Sequence, residues 1–162
     1  MATTYTLISS VTVGSATNTI SFTSIPQTYT DLVIKASLRG STTTTTFAVQ
    51  VNNTTVTSVI RLYGGGSGSG ASDTFNEHYI NPSDFTANVF GNTELYLPNY
   101  TGSATKSYSV DSVGENNATQ AYMNLAANST GSTSAITSIN LIRTSGNFVQ
   151  YSTAYLYGIS NA

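Results

Sequence analysis

The residues able to do acid–base or metal chemistry are few. His78 is the only histidine, with Glu77 beside it and Asp73 a short way upstream. A metal centre or a proton-transfer pair needs further ligands at a recognisable spacing, and none repeats here, so His78 reads as a loop or surface histidine. Asp111, Glu115 and Asn116 lack the acidic density of a hard-cation loop and read as a solvated turn. The glycine run Gly64 to Gly70 has no Gly-Lys-Ser/Thr ending and no helical pattern after it, so it is not a phosphate cradle. Its Gly66 to Gly70 portion, GSGSG, is low-complexity sequence, and no Gly-x-Ser-x-Gly elbow in the chain has the strand–helix context a nucleophile needs. Glycosylation-type triplets begin at Asn53, Asn99, Asn117 and Asn128, and in a chain this rich in Asn, Ser and Thr they arise by chance. These residues predict no enzyme and no cofactor.

Tyrosine is the one enrichment that could carry function: eleven Tyr stand against six Phe and no Trp. Tyr151, Tyr155 and Tyr157 recur at period two around Thr153, which puts them on one face of a closing strand. Such a row could stack on sugars or form a subunit interface, since the ring gives apolar area with a polar tip. It could equally fill a core with its hydroxyls at the rim. All three placements are open to the sequence.

The element that must organise these residues is Asp31 to Arg39, DLVIKASLR. Leu32, Ile34, Ala36 and Leu38 fall on one face and Lys35, Ser37 and Arg39 on the other, with Val33 the apolar exception. That alternation predicts a strand with one face in a core. Lys35 and Arg39 are expected to face solvent or a partner, which adds Arg39 to the candidate interface. The predicted partner strand is Phe148 to Ile159, whose two faces are both largely apolar or aromatic, as in a strand covered on both sides. Further strands are expected at Tyr5 to Val13 (Tyr5, Leu7, Val11 and Val13 on one side), Ile20 to Phe22, Phe47 to Val51, Val56 to Tyr63, Glu94 to Leu97, Tyr108 to Val113, Ala121 to Ala127 and Ile136 to Arg143. Gly64 to Gly70 reads as a flexible surface loop, Gly114 to Asn117 as a turn, and Phe75 to Phe90 as a short strand or an irregular excursion. Eight to ten short strands with turn-punctuated spacing predict one all-β domain over residues 1–162, an antiparallel sandwich of the jelly-roll kind.

Composition narrows the partners. Only 7% of the 162 residues are charged, against roughly 25% in ordinary soluble domains. Solubility must come from hydroxyls and amides, because Ser and Thr make up roughly a third of the chain. Low charge with high β-propensity is a hazard for a free monomer and less of one for a subunit covered in an assembly. The net charge is -2 and the five basic residues are scattered, so there is no footprint for nucleic acid. No window reaches membrane-spanning length, and the amino terminus MATTYTLISS reads without a signal peptide. Cysteine is absent, which removes disulfides and thiolate sites.

Several segments occur in an order that carries a resemblance: IPQTYTDLVIKASLRG (Ile25 to Gly40), RLYGGGSGSG (Arg61 to Gly70), ANVFGNTELYLPNYTGSATK (Ala87 to Lys106), ITSINLI (Ile136 to Ile142) and SGNFVQYSTAYLYGI (Ser145 to Ile159). Together they resemble a family of small structural proteins of tailed bacteriophages, over most of the chain from about Tyr5. The resemblance implies a non-enzymatic virion component made in a host cytoplasm, with no catalytic residues to carry over. The expected role is a capsid decoration (cement) subunit, a homotrimer whose partners are the major capsid protein and copies of itself. The alternative is a tail-fibre or head-appendage module that binds a host-surface glycan.

Overall fold

The computed structural model describes residues 4–55, 58–66, 68–116 and 120–160. Every regular element among them is a β-strand, and the strands form two antiparallel sheets packed as a sandwich. The larger sheet has eight strands. In spatial order they are β1 (Tyr5–Thr12), β13 (Thr153–Ile159), β3 (Asp31–Leu38), β9 (Gly91–Leu97), β10 (Ser107–Asn116), β11 (Gln120–Ser129), β6 (Ser58–Gly64) and β7 (Gly70–Asp73). The smaller sheet runs β2 (Thr19–Phe22), β12 (Ile139–Ile142), β4 (Thr46–Val51) and β5 (Thr54–Thr55), and β8 (Glu77–Tyr79) also pairs with β4. The sheet order establishes the antiparallel sandwich and not the finer jelly-roll winding. Thirteen described strands exceed the eight to ten expected because tight returns were read as plain turns. Asn52 and Asn53 at φ 48° and 60° fold β5 back on β4, and the glycine run folds β7 back on β6.

The organising strand behaves as its alternation predicts. Leu32, Ile34, Ala36 and Leu38 of β3 are buried and meet Ile20, Phe22, Phe47, Leu95, Ile139 and Phe148 in one core between the sheets. β13 lies beside β3 in register from Thr153↔Ser37 to Ile159↔Asp31, so the carboxyl-terminal strand does pair with it. On its other side β13 pairs with β1.

Four expectations need correction. A β-bulge interrupts β1 between Leu7 and Ser9, and one extra residue reverses which side chains face the core. Tyr5 and Leu7 therefore point outward and are exposed, whereas Val13 is buried. β13 is covered on one face only: Ala154 and Leu156 are buried, while Tyr155 is exposed and Tyr157 half-buried. Gly64 to Gly70 is a hairpin, not an open loop, with Gly64 and Gly70 paired. Its turn leans on β11, where a Cβ on Gly66 would lie 2.6 Å from the Gln120 Cα, a closeness only glycine permits. Of the turn expected over Gly114 to Asn117, Gly114 to Asn116 are instead the end of β10. Val56, Thr57, Ser67 and the triplet from Asn117 lie outside the described residues.

Candidate functional site

The two outer faces of the sandwich differ in chemistry. On the small sheet the strands alternate core residues with Thr19, Ser21, Thr46, Gln50 and Asn140, joined by Ala48 and Ile142, so its outer side is mainly hydroxyl and amide with a small apolar share. The large sheet has apolar and aromatic side chains on its outer side, and no further layer among the described residues lies over them. Because both faces come from one polar-rich composition, the difference is positional. The candidate site is this outer face, and it has two unlike ends.

At one end lie Tyr5 and Leu7 of β1, Tyr155 and Tyr157 of β13, and Tyr96 of β9. Tyr157 stands opposite Leu7 and Val33, and Val33 stands opposite Tyr96. Val33, the apolar exception in β3, is buried here because the two neighbouring rings lie over it. Tyr5 and Tyr157 meet edge to face at 6.3 Å. The Tyr96 hydroxyl donates to Asp31 at 2.8 Å, and that bond raises the phenol's pKa. Lys35 and Glu94, exposed and 2.9 Å apart, cross the same face; the bond and charge of Glu94 raise the Lys35 pKa.

At the other end the face is aliphatic. Leu125 of β11 pairs with Leu62 of β6 and Asp111 of β10, Met123 pairs with Val113 and Gly64, and Ala127 pairs with Ile60. Ile60, Leu62, Val113, Met123 and Leu125 are each between 40% and 64% exposed. Beside them opens a groove of about 710 Å³ lined by Leu62, Tyr63, Gly64, Val113, Tyr122 and Met123 with the turn of the β6–β7 hairpin. Asp111 is the one charge in these pairings.

The four sequence-predicted interface residues fall in two places. Tyr155 and Tyr157 are on the outer face, but Tyr151 precedes β13 in a turn at φ 72°, 69% exposed. It lines a separate shallow groove with Arg39, Asn88, Phe90, Val149 and Gln150. Arg39 is corrected from solvent-facing to buried. Its guanidinium donates to the carbonyl oxygens of Ser83, Phe85, Thr86 and Val89, holding that loop against the sheet.

Arg39 is one of four buried cations that the sequence left as scattered charges. Lys106 donates to the carbonyls of Gly102, Thr133 and Ser134, and desolvation lowers its pKa. Arg143 donates to the carbonyls of Thr44 and Thr46 and to the Thr42 hydroxyl. Arg61 makes a two-pronged pair with Asp73 at 2.9 and 2.6 Å, which holds the Asp73 carboxyl below its usual pKa. Its guanidinium also lies 4.9 Å from the Tyr63 ring centre. No sequence signal separates such a clamp from a surface cation, since its partners are loop carbonyls that any residue supplies. Of the five basic side chains, only Lys35 is left at the surface.

His78 is also corrected: it is 1% exposed, on β8 against the Phe47 ring at 5.5 Å. Burial, with the nearby Arg61 charge, pushes its pKa down to about 3. It is therefore a neutral core side chain at physiological pH. Among the described residues no group of three or more His, Asp or Glu is placed to hold a metal.

No family model, curated protein or solved structure matches this chain. The functional reading therefore stands on the geometry of the outer face and on the sequence segments themselves.

Proposed function

We propose that this chain is a non-enzymatic virion protein of a tailed bacteriophage, a capsid decoration subunit that docks on the major capsid protein and assembles with copies of itself as a homotrimer. The observation that carries the reading is the uncovered outer face of the eight-stranded sheet. A domain with a complete core of its own still leaves five aliphatic side chains and a tyrosine cluster in water. Exposed apolar surface of that kind marks a surface used in contact with other molecules. The order of the segments from Ile25 to Ile159 supplies the phage assignment, which is an inference by resemblance.

Adding purified protein back to capsids that lack it tests this reading. Stoichiometric, saturable binding that raises the temperature at which the capsids rupture is the expected result, because a ligand specific to the assembled state stabilises that state by mass action. The second reading, a host-glycan-binding appendage, is favoured by one observation: Tyr5, Tyr96, Tyr155 and Tyr157 cluster with rings part in solvent. Saturable binding to host envelope glycans, lost in Tyr155→Ala, with no binding to capsids would replace the first reading with the second.

A further inference from the structure

We infer that the aliphatic end of the outer face, Ile60, Leu62, Val113, Met123 and Leu125, is where a second copy of this chain docks, leaving the tyrosine end free for a different partner. The inference rests on the self-association in the proposed function and adds the face that carries it. Size is the first argument. These side chains, each 40% to 64% exposed, form the centre of an interface, and a standard interface takes ~800 Å² per partner. That is about a tenth of this molecule's 7761 Å². The flanking hairpin turn and Ala127 fill out the footprint.

Charge is the second. The patch has no cation, and the one exposed basic side chain among the described residues, Lys35, is already paired with Glu94 at the other end. An acidic or phosphate-bearing partner finds nothing here to bind, and a polar partner would lose hydration without repayment in hydrogen bonds. The complement is an apolar sheet face, and a second copy presents one of the same extent, its one charge, Asp111, lying at the side toward β9. Shape is the third. The patch holds both a groove, lined by Leu62, Val113 and Met123, and a projecting side chain, Ile60, 64% exposed and outside the groove. In the proposed homotrimer each contact is heterologous, and a knob and a hole at different points of one surface let each copy offer Ile60 to one neighbour and its groove to the other.

Sedimentation of the purified chain tests this, because the substitutions fall on exposed positions. The wild-type chain is expected to sediment as a small multiple of 17.0 kDa. Leu62→Glu and Leu125→Glu should each weaken association more than tenfold and sediment at the single-chain mass, while Ser21→Glu on the small sheet should match wild type. Unaltered circular dichroism should accompany all three. The chain has no cysteine, so single spin labels give a check that needs no charged substitution. Labels at Ala127→Cys should lie closer between copies than labels at Ser21→Cys. A wild-type chain that stays at 17.0 kDa overturns both the inference and the self-association it rests on. Oligomers that survive both leucine substitutions, or labels closer at Ser21→Cys, overturn the inference alone and leave the virion reading standing.

Discussion

The two ends of the large sheet's outer face answer the same problem, apolar area without a covering layer, in different ways. At the tyrosine end the rings cover one another and Val33, and their hydroxyls stay in contact with water or with Asp31. That end is tolerable in solution, since each side chain is apolar on its body and polar at its tip. At the aliphatic end nothing offsets the exposed Ile60, Leu62, Met123 and Leu125. Exposure of apolar surface is thus not one signal: the tyrosine end carries polar tips that suit wet contacts, while the aliphatic end has none.

Both ends share one core, so the largest effects are expected from beneath them. Leu38→Ala should destabilise the chain by about 2–5 kcal/mol, and its outward neighbour Ser37→Ala by less than about 0.5 kcal/mol. Equal shifts in urea midpoint would mean that the faces of β3 are reversed. A smaller effect is expected from pH, acting under the aliphatic end, where β8 packs beneath β10 and β11. The folded pKa of His78, about 3, is below its ordinary value of 6.5. Between those values the unfolded chain takes up a proton that the folded chain refuses. The contribution is thus complete above pH 6.5 and is lost as pH falls, by about 3 kcal/mol from pH 7 to pH 4 at 1.36 kcal/mol per pH unit. Carboxylates titrate in the same range, so the readout is the difference in slope between wild type and His78→Gln. Identical slopes would contradict the buried, neutral histidine.

Reading the sequence alone reached one end of this comparison better than the other. The alternation of Leu32, Ile34, Ala36 and Leu38 is a direct imprint of a half-buried strand, and its pairing with the closing strand is realised in full register. The period-two tyrosines Tyr155 and Tyr157 were visible as a row, although their exposure was not, because a ring fits a core, an interface or a rim equally well. Tyr151 fell out of that row once the chain turned at positive φ. Periodicity failed at β1, where the bulge at Leu7/Ser9 reverses the pattern without leaving any mark in residue type. The aliphatic end was missed altogether: Ile60, Leu62, Met123 and Leu125 look like core residues, and only the sheet order shows that no layer lies over them. Arg39 and His78 were misplaced for the complementary reason. Polar side chains default to the surface unless something buried satisfies them, and the loop carbonyls that satisfy Arg39 lie some forty-five residues further along the chain.

Two smaller effects sharpen the contrast. Tyr157→Ala should cost about 1 kcal/mol, the scale of an aromatic pair beyond its burial, because it removes the Tyr5 contact and uncovers Val33. A loss above about 3 kcal/mol in thermal melts would make that ring part of the core. Smallest of all, Glu94→Gln should change stability by less than about 0.5 kcal/mol and become silent in high salt, as exposed ion pairs do. A larger, salt-independent loss would show that the Lys35–Glu94 pair organises the tyrosine end.

The central claim is that this chain meets its neighbours through the outer face of the eight-stranded sheet. An electron cryo-microscopy map of the particle, at a resolution that separates the two sheets, tests it most directly. The account predicts density for this fold on the capsid lattice, with Leu62 and Leu125 covered and the hydroxyl-rich face of Thr19 and Ser21 turned to solvent. A map in which the small sheet faces its neighbours and the large sheet stands bare would contradict it.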